Sequence, residues 1–191
     1  MCIRDSVSDD RSQDQPDVLP ELSASFIGEP GAVPLVKGRW SVDTSLLGRQ
    51  REGNEQDMNR LSLDLGWRRR MVSDYGLLSV VKAKARGDFY HVNDRAGVVA
   101  GAGVSKSGTD IRAFPQFQVE TSYPMARSFE NMQARVEPIV ALTAAPKVRI
   151  DDDQIPNEDS NDVQLDASNL FEGNRFPGLD RIEDQSRATY G

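Results

Sequence analysis

Period-two alternation recurs in segment after segment of this chain, and it restricts the fold more than any other feature. Leu61, Leu63, Leu65 and Trp67 alternate with Ser62, Asp64, Gly66 and Arg68. A helix would scatter both sets around its circumference, whereas a pleated strand sends them to opposite faces. Trp40, Val42, Thr44 and Leu46 alternate with Ser41, Asp43 and Ser45 in the same way, as do Leu22, Ala24 and Phe26 with Glu21, Ser23 and Ser25. The longest predicted strand covers residues 77–90, with Lys82, Lys84, Arg86 and Asp88 on one face and Val81, Ala83, Ala85, Gly87 and Phe89 on the other. Further strands are expected over residues 97–104, 112–123 and 134–144, and a last one opens near Arg187. Turn chemistry separates them: residues 28–38 with Pro30, Gly31 and Pro34, the polar stretch 48–57, a tight turn at Ser73, Asp74 and Gly76, and breaks at Asn93-Asp94 and Ser107-Gly108-Thr109. The expectation is an all-β chain of roughly seven to nine antiparallel strands. Pro138 falls inside the 134–144 alternation and deletes a ladder hydrogen bond there, so a bulge or a rim position is expected around it.

Strands near ten residues suit a tilted membrane strand, which needs about 9 to 11 residues, better than the five or six or so of a common globular strand. The charged face sharpens this. Arg or Lys facing lipid at mid-membrane costs about 2 to 4 kcal/mol each, and a whole domain is stable by only about 5 to 15 kcal/mol. Lys82, Lys84 and Arg86 must therefore face water, which in a closed barrel is the lumen, and the side carrying Val81, Ala83, Ala85 and Phe89 then meets lipid. Trp40, Trp67 and Tyr123 stand at the ends of their alternating sets, where interfacial aromatic girdles sit. A soluble β-sandwich, with the apolar set facing a second sheet, satisfies the same alternation, although Ala83, Ala85 and Gly87 would pack such a core poorly. The chain holds no apolar run of about 18 residues and so no transmembrane helix. Its mean hydropathy of -0.54 is compatible with barrel strands, whose alternation keeps the average low.

The formal net charge is -7, against the basic footprint of a nucleic-acid binder. Asp151, Asp152, Asp153, Glu158, Asp159 and Asp162 concentrate the acidity. They do not make a calcium loop: with Asp151 first, Ile155 falls at the fifth position, Pro156 replaces the required glycine and Asp162 replaces the bidentate glutamate. Gly101-x-Gly103 lacks a third glycine and a following helix, so it is no dinucleotide site. His91 has no partners for catalysis or for a metal, and Cys2 alone forms no disulfide within the chain. Neither an enzyme nor a cofactor is expected.

Residues 146–186 are too long for an ordinary connection, since structureless loops beyond about 12 to 15 residues are uncommon unless functional or disordered. The wording of this segment is specific: PNEDS (156–160), NLF (169–171), NRF (174–176) and GLDRIE (178–183). These pieces, with a fainter echo in VEPIVAL (136–142), resemble the lipopolysaccharide-assembly outer-membrane protein family LptD, also described as organic solvent tolerance proteins. The motif residues are Pro156, Asn157, Asp159, Ser160, Phe171, Asn174, Arg175, Phe176, Gly178, Asp180 and Arg181. Phe171 and Phe176 can anchor the loop on a barrel wall, and Arg175, Asp180 and Arg181 offer charges for pairing with one another. Such residues either fold the loop alone or help shape a route for lipid.

The resemblance implies a transmembrane β-barrel of the Gram-negative outer membrane that inserts lipopolysaccharide into the outer leaflet. The partners it implies are lipopolysaccharide, a lipoprotein that plugs the barrel, and periplasmic bridge proteins. Lys82, Lys84 and Arg86, with Arg135, would then give the lumen wall affinity for phosphate. Residues 7–191 are expected to be a partial barrel domain of a larger protein. Residues 1–6, MCIRDS, resemble a translated adaptor and read as a non-native leader; no apolar signal region follows them, and RATYG at 187–191 reads as a strand just beginning. A small porin-like barrel or a soluble β-rich binding module is the alternative.

Overall fold

A computed structural model describes residues 17–31, 37–50, 56–93, 107–148, 155, 157, 159–160 and 163–191. The strands are β1 (Asp17–Ile27), β2 (Arg39–Gln50), β3 (Asp57–Val72), β4 (Leu78–Asn93), β5 (Gly108–Ser122), β6 (Met125–Ser128), β7 (Gln133–Val136), β8 (Ile139–Ala144) and β9 (Arg187–Tyr190). Seven of them form one sheet in the order β1-β2-β3-β4-β5-β8-β9. Every pairing is antiparallel. β6 and β7 make a separate two-stranded ribbon within the connection from β5 to β8. Among the described residues no helix is long and apolar enough to cross a membrane. The all-β antiparallel sheet agrees with the alternation.

Three sequence expectations change in detail. Residues 134–144 are not one strand: Glu137 and Pro138 end β7, and β8 begins at Ile139 in the other sheet. The missing proline N–H explains the break, and the Pro138 carbonyl instead accepts a hydrogen bond from the Tyr123 amide at 3.1 Å. Gly108 and Thr109 belong to β5, opposite Val92 and His91, rather than to a turn. His91 accordingly lies within β4, its Nδ1 3.0 Å from the Thr109 hydroxyl. The connection leaving Asn93, the strand expected over 97–104, the Gly101-x-Gly103 pair, residues 1–6 and Pro156 lie outside the described residues. Pro115 sits inside β5, but β8 pairs with β5 only from Phe117 to Ser122. Among the described residues, one side of β5 before Phe117 has no strand neighbour, which is where a strand tolerates proline.

The register turns the alternation of single strands into two continuous faces. Trp40, Trp67, Ala83 and Phe117 align across four strands, as do Val42, Leu65 and Ala85, and Leu46, Leu61, Phe89 and Ile111. This apolar face is open, with Leu61, Leu65 and Ile111 exposed to 47%, 46% and 78%. On the opposite face Arg60 and Arg112 are exposed to only 4% and 2%. Burial is thus inverted with respect to a water-soluble protein, in which charged side chains almost never vanish and apolar ones collect inside. Among the described residues no second sheet covers this apolar face, as a sandwich core would require. The small apolar cluster that does exist, Leu47, Met58, Tyr90, Val92 and Ile155, lies where the connection between β8 and β9 crosses the polar face.

Candidate functional site

The site is a clamp of charges that fastens Asp159, Ser160 and residues 178–181 onto the polar face of β3, β4 and β5. The antiparallel register sets its wall side: Arg60 stands opposite Tyr90, Ser62 opposite Asp88, and Asp88 opposite Arg112. Cross-strand neighbours of this kind lie about 4.5 to 5.5 Å apart, so three strands deliver their charges to one spot. The Asp88 carboxylate is the hub of the wall. It accepts from Arg86 Nε at 2.9 Å and Arg112 Nε at 2.7 Å, and its side chain is fully buried. Arg112 also donates to the Tyr90 hydroxyl at 3.0 Å.

The loop side is the GLDR motif. Asp180 Oδ1 accepts from Arg60 Nη1 at 2.5 Å and from the Tyr90 hydroxyl at 3.1 Å. The Leu179 carbonyl accepts from Arg86 and from Arg112, each at 2.7 Å, and the Asp180 carbonyl accepts from Arg112 Nη1 at 2.5 Å. The PNEDS motif closes the arrangement from below. Asp159 Oδ2 takes a second bond from Arg60 at 2.7 Å, while its Oδ1 receives the Leu179 and Asp180 amides, both at 2.9 Å. The Asp159 amide donates to Asp180 Oδ2 at 3.1 Å, and the Ser160 hydroxyl accepts from the Arg181 amide at 3.1 Å. Asn157 and Ser160 exchange two bonds of their own, from Asn157 Nδ2 to the Ser160 carbonyl and from the Ser160 amide to Asn157 Oδ1. Gly178 has φ of +77°, and a Cβ there would fall on the Asp159 carbonyl oxygen and carboxylate, so only glycine fits.

The middle of the loop is held by other means. Gln116 Nε2 donates to the Gly173 carbonyl at 2.9 Å and Gln118 Nε2 to the Phe171 carbonyl at 2.8 Å. Arg175 pairs with Glu183, and Arg187 of β9 shares that carboxylate at 2.5 Å. Asn174 Oδ1 accepts from the Glu183 amide at 3.0 Å. The Arg181 guanidinium lies 4.4 Å from the Phe176 ring centre, a cation–π contact. An open pocket of about 870 Å³ lies within the loop, lined by Ile155, Val163, Leu165, Arg175, Phe176 and Arg181 among others.

Burial alone would raise the Asp159 carboxyl, but the Asp180 and Leu179 amides and the Arg60 guanidinium bring it from 3.8 down to about 2. A depressed carboxyl contributes stability that is fully present above its ordinary value and is lost as pH falls through its folded value. For this partly exposed group the contribution is about 1 to 2 kcal/mol. Loop protection against acid-active protease is therefore expected to hold from neutrality down to about pH 4 and to fall as the pH approaches about 2. Release already above about pH 5 would contradict it.

Of the motif residues named from sequence, Asp159, Ser160, Gly178, Asp180 and Arg181 meet at the clamp with Asn157 beside them, whereas among the described residues Arg175, Asp180 and Arg181 do not pair with one another: Arg175 pairs with Glu183, Asp180 with Arg60, and Arg181 lies over Phe176. Arg86 and Asp88 belong to the clamp, so the Arg86 guanidinium is engaged by Asp88 and the Leu179 carbonyl rather than left for a ligand. Arg135 lies in the β6–β7 ribbon, paired with Glu137 at 2.7 Å, and not on the main sheet. Lys82 is half-buried and pairs with Glu120 at 3.3 Å, whereas Lys84 is exposed. Phe171 packs near the chain's last residue, so wall attachment depends on charges and amides more than on the two phenylalanines. To these the structure adds the wall set Arg60, Tyr90, Arg112, Gln116 and Gln118. Their signal was present as strand parity, since each lies on the same face as Asp88.

The family described as LptD, LPS transport system D, matches residues 5–191. A curated relative, the LPS-assembly protein LptD of Methylococcus capsulatus (strain ATCC 33009 / NCIMB 11132 / Bath), is 34% identical over 84 residues, which is 42% of this chain. The aligned part is 8% of that relative's length, so the chain spans a small share of it. Proteins of the matched family are transport barrels of the Gram-negative outer membrane rather than enzymes. With a match of this extent, the chain belongs to the LptD family.

Proposed function

We propose that this chain is an arc of the wall of an outer-membrane barrel that delivers lipopolysaccharide to the outer leaflet, with residues 155–183 fixed against the inside of that wall. The inverted burial carries the reading: the exposed apolar face suits hydrocarbon, and the polar face, roofed by its own loop, suits a hydrated interior. The 73–77 end carries a short turn and the β6–β7 ribbon, while the opposite end carries residues 145–186, the longest connection, so the 73–77 end is assigned to the periplasm, because outer-membrane barrels keep their longer loops outside. β8 ends at Ala144, opposite Phe117 in the middle of β5. The loop therefore leaves the wall at mid-height and lies over the inner surface of β3 to β5. Lys82 and Lys84 line the hydrated side below the clamp, and residues 7–191 form one partial barrel domain. A plug lipoprotein and periplasmic bridge proteins complete the machine in this reading.

Photocrosslinking in the full-length protein tests the sidedness and the cargo together. A photoreactive residue replacing Lys84 is expected to trap lipopolysaccharide during delivery, and one replacing Leu63 to trap phospholipid. Phospholipid adducts at position 84, or none of lipopolysaccharide there, would sink the proposal.

A further inference from the structure

The rim at the 73–77 end of the sheet carries a concentration of positive charge that the clamp does not use. Arg39 of β2 stands opposite Arg68 of β3, and Arg68 stands opposite Lys82 of β4. Like charges placed directly opposite in a sheet destabilise it. Only Lys82 of this rung is neutralised, by Glu120. Arg39 and Arg68 are exposed and make no salt bridge among the described residues, and Arg70, on the same face nearer the rim, is exposed too, with the Glu137 carboxylate near enough to feel its charge. Glycine at 38 makes the crowding possible: its φ is +147°, and a Cβ would overlap the Trp67 indole and the Arg68 carbonyl. The chain before β2 is thereby laid directly against the end of β3.

Between them runs a groove of about 550 Å³ whose lining includes Lys37, Arg39, Arg68, Arg69 and Arg70 and no carboxylate. Its volume lies within the range of ligand sites, about 300 to 1,000 Å³. The overall charge of the chain is -7, so this is a local accumulation and not a general basic surface. Depth supplies the second argument. Trp40 and Trp67, with ring centres 6.4 Å apart, are the immediate chain neighbours of Arg39 and Arg68 and project from the apolar face. Paired tryptophans at strand ends mark the interfacial level of a membrane, where lipid phosphates lie. Guanidinium forks bind phosphate through paired, charge-assisted hydrogen bonds.

We propose that Arg39, Arg68 and Arg70, with Lys37, form a binding site for the phosphate groups of a glycolipid headgroup at the mouth of the barrel. The site receives the headgroup before it passes Lys82 and Lys84, so the proposal rests on the lipopolysaccharide reading above and adds a subsite to it. The cations are held apart by the rungs of the sheet, ready to be neutralised by more than one phosphate, and an unphosphorylated sugar headgroup would leave their repulsion in place.

The test uses full-length protein, with its partners, in proteoliposomes, comparing bisphosphorylated lipid A with its dephosphorylated form. Wild type is expected to bind the bisphosphorylated form at least about tenfold more tightly. The triple variant Arg39→Gln, Arg68→Gln, Arg70→Gln is expected to lose that preference while still binding the dephosphorylated form. The corresponding triple lysine variant should keep much of it, and retained SDS resistance of the barrel excludes misfolding as the cause. Unchanged preference in the glutamine variant overturns the site, even where wild type still delivers lipopolysaccharide. Displacement of the lipid by millimolar inorganic phosphate alone would assign the site to free phosphate and overturn the lipid assignment. Failure of wild type to bind or deliver either lipid would remove the proposed function itself, and this site with it.

Discussion

Asp180→Ala is expected to detach the loop from the wall while leaving the barrel assembled. The substitution removes the acceptor of Arg60 and of the Tyr90 hydroxyl, and it also strips the Asp159 amide of its partner. The Asp180 side chain is 1% exposed and that of Arg60 4%, so the loss occurs away from water. Removing one partner of a buried ion pair costs about 3 to 5 kcal/mol, because the other charge stays desolvated. Asp159 still holds Arg60 at 2.7 Å, which favours the lower end of that range. A loss of about 3 kcal/mol in docking free energy raises the open population by about two orders of magnitude. Limited proteolysis of the full-length protein in detergent would read this as a matching rise in cleavage within residues 155–183. Cleavage no faster than in the unmodified protein would show that the loop is held by other contacts. Asp180→Asn keeps an acceptor for Tyr90 but loses the charge, and it should fall between the two.

Gly178→Val is expected to disrupt the same clamp by a different physical route. Glycine at φ of +77° occupies the left-handed region, where an L side chain is strained by about 1 to 2 kcal/mol and a β-branched one is a conformational outlier. The clash is the larger effect. The added Cβ would land on the Asp159 carbonyl oxygen and carboxylate, the group that gathers the Leu179 and Asp180 amides. Displacing it undoes several hydrogen bonds together, and the combined loss is expected to exceed about 3 kcal/mol. Since the first carbon of any side chain makes this contact, Gly178→Ala should be nearly as damaging as Gly178→Val. The same proteolysis assay reads both. An alanine variant as well protected as the unmodified protein would mean that Asp159 does not sit where the clamp requires it.

Both expectations depend on contacts that span much of the chain. Asp180 and Arg60 are 120 positions apart, and Arg112 reaches back across 68 positions to the Asp180 carbonyl. The motif residues Asp159, Ser160, Gly178 and Asp180 were legible as a group because their wording is specific, yet the sequence offered no route from them to Arg60, Tyr90 or Arg112. Hydrophobic alternation is a local property and says on which face a residue lies. Register is a relation between strands, and it alone places Arg60, Asp88 and Arg112 beside one another. Pro138 shows the same division: its missing donor was plain from the residue type, but whether the strand would bulge or part into two sheets depended on what the neighbouring carbonyls could find.

What the sequence by itself determined is sidedness. Through the middle of β2 to β5 most alternate residues are apolar or small and most of those between are polar or charged, so once the strands pair the sheet must present one greasy face and one wet face. What only the tertiary structure decided is how the charges of the wet face are used. Arg86 and Asp88 look like lining available to a ligand when read along β4, but they pair with each other beneath the returning loop, whose Leu179 carbonyl takes a further bond from Arg86, whereas Arg39 and Arg68 are exposed and make no salt bridge among the described residues. The reason is electrostatic: a buried charge must find a partner of opposite sign, and which charge is buried depends on where a distant segment comes to rest.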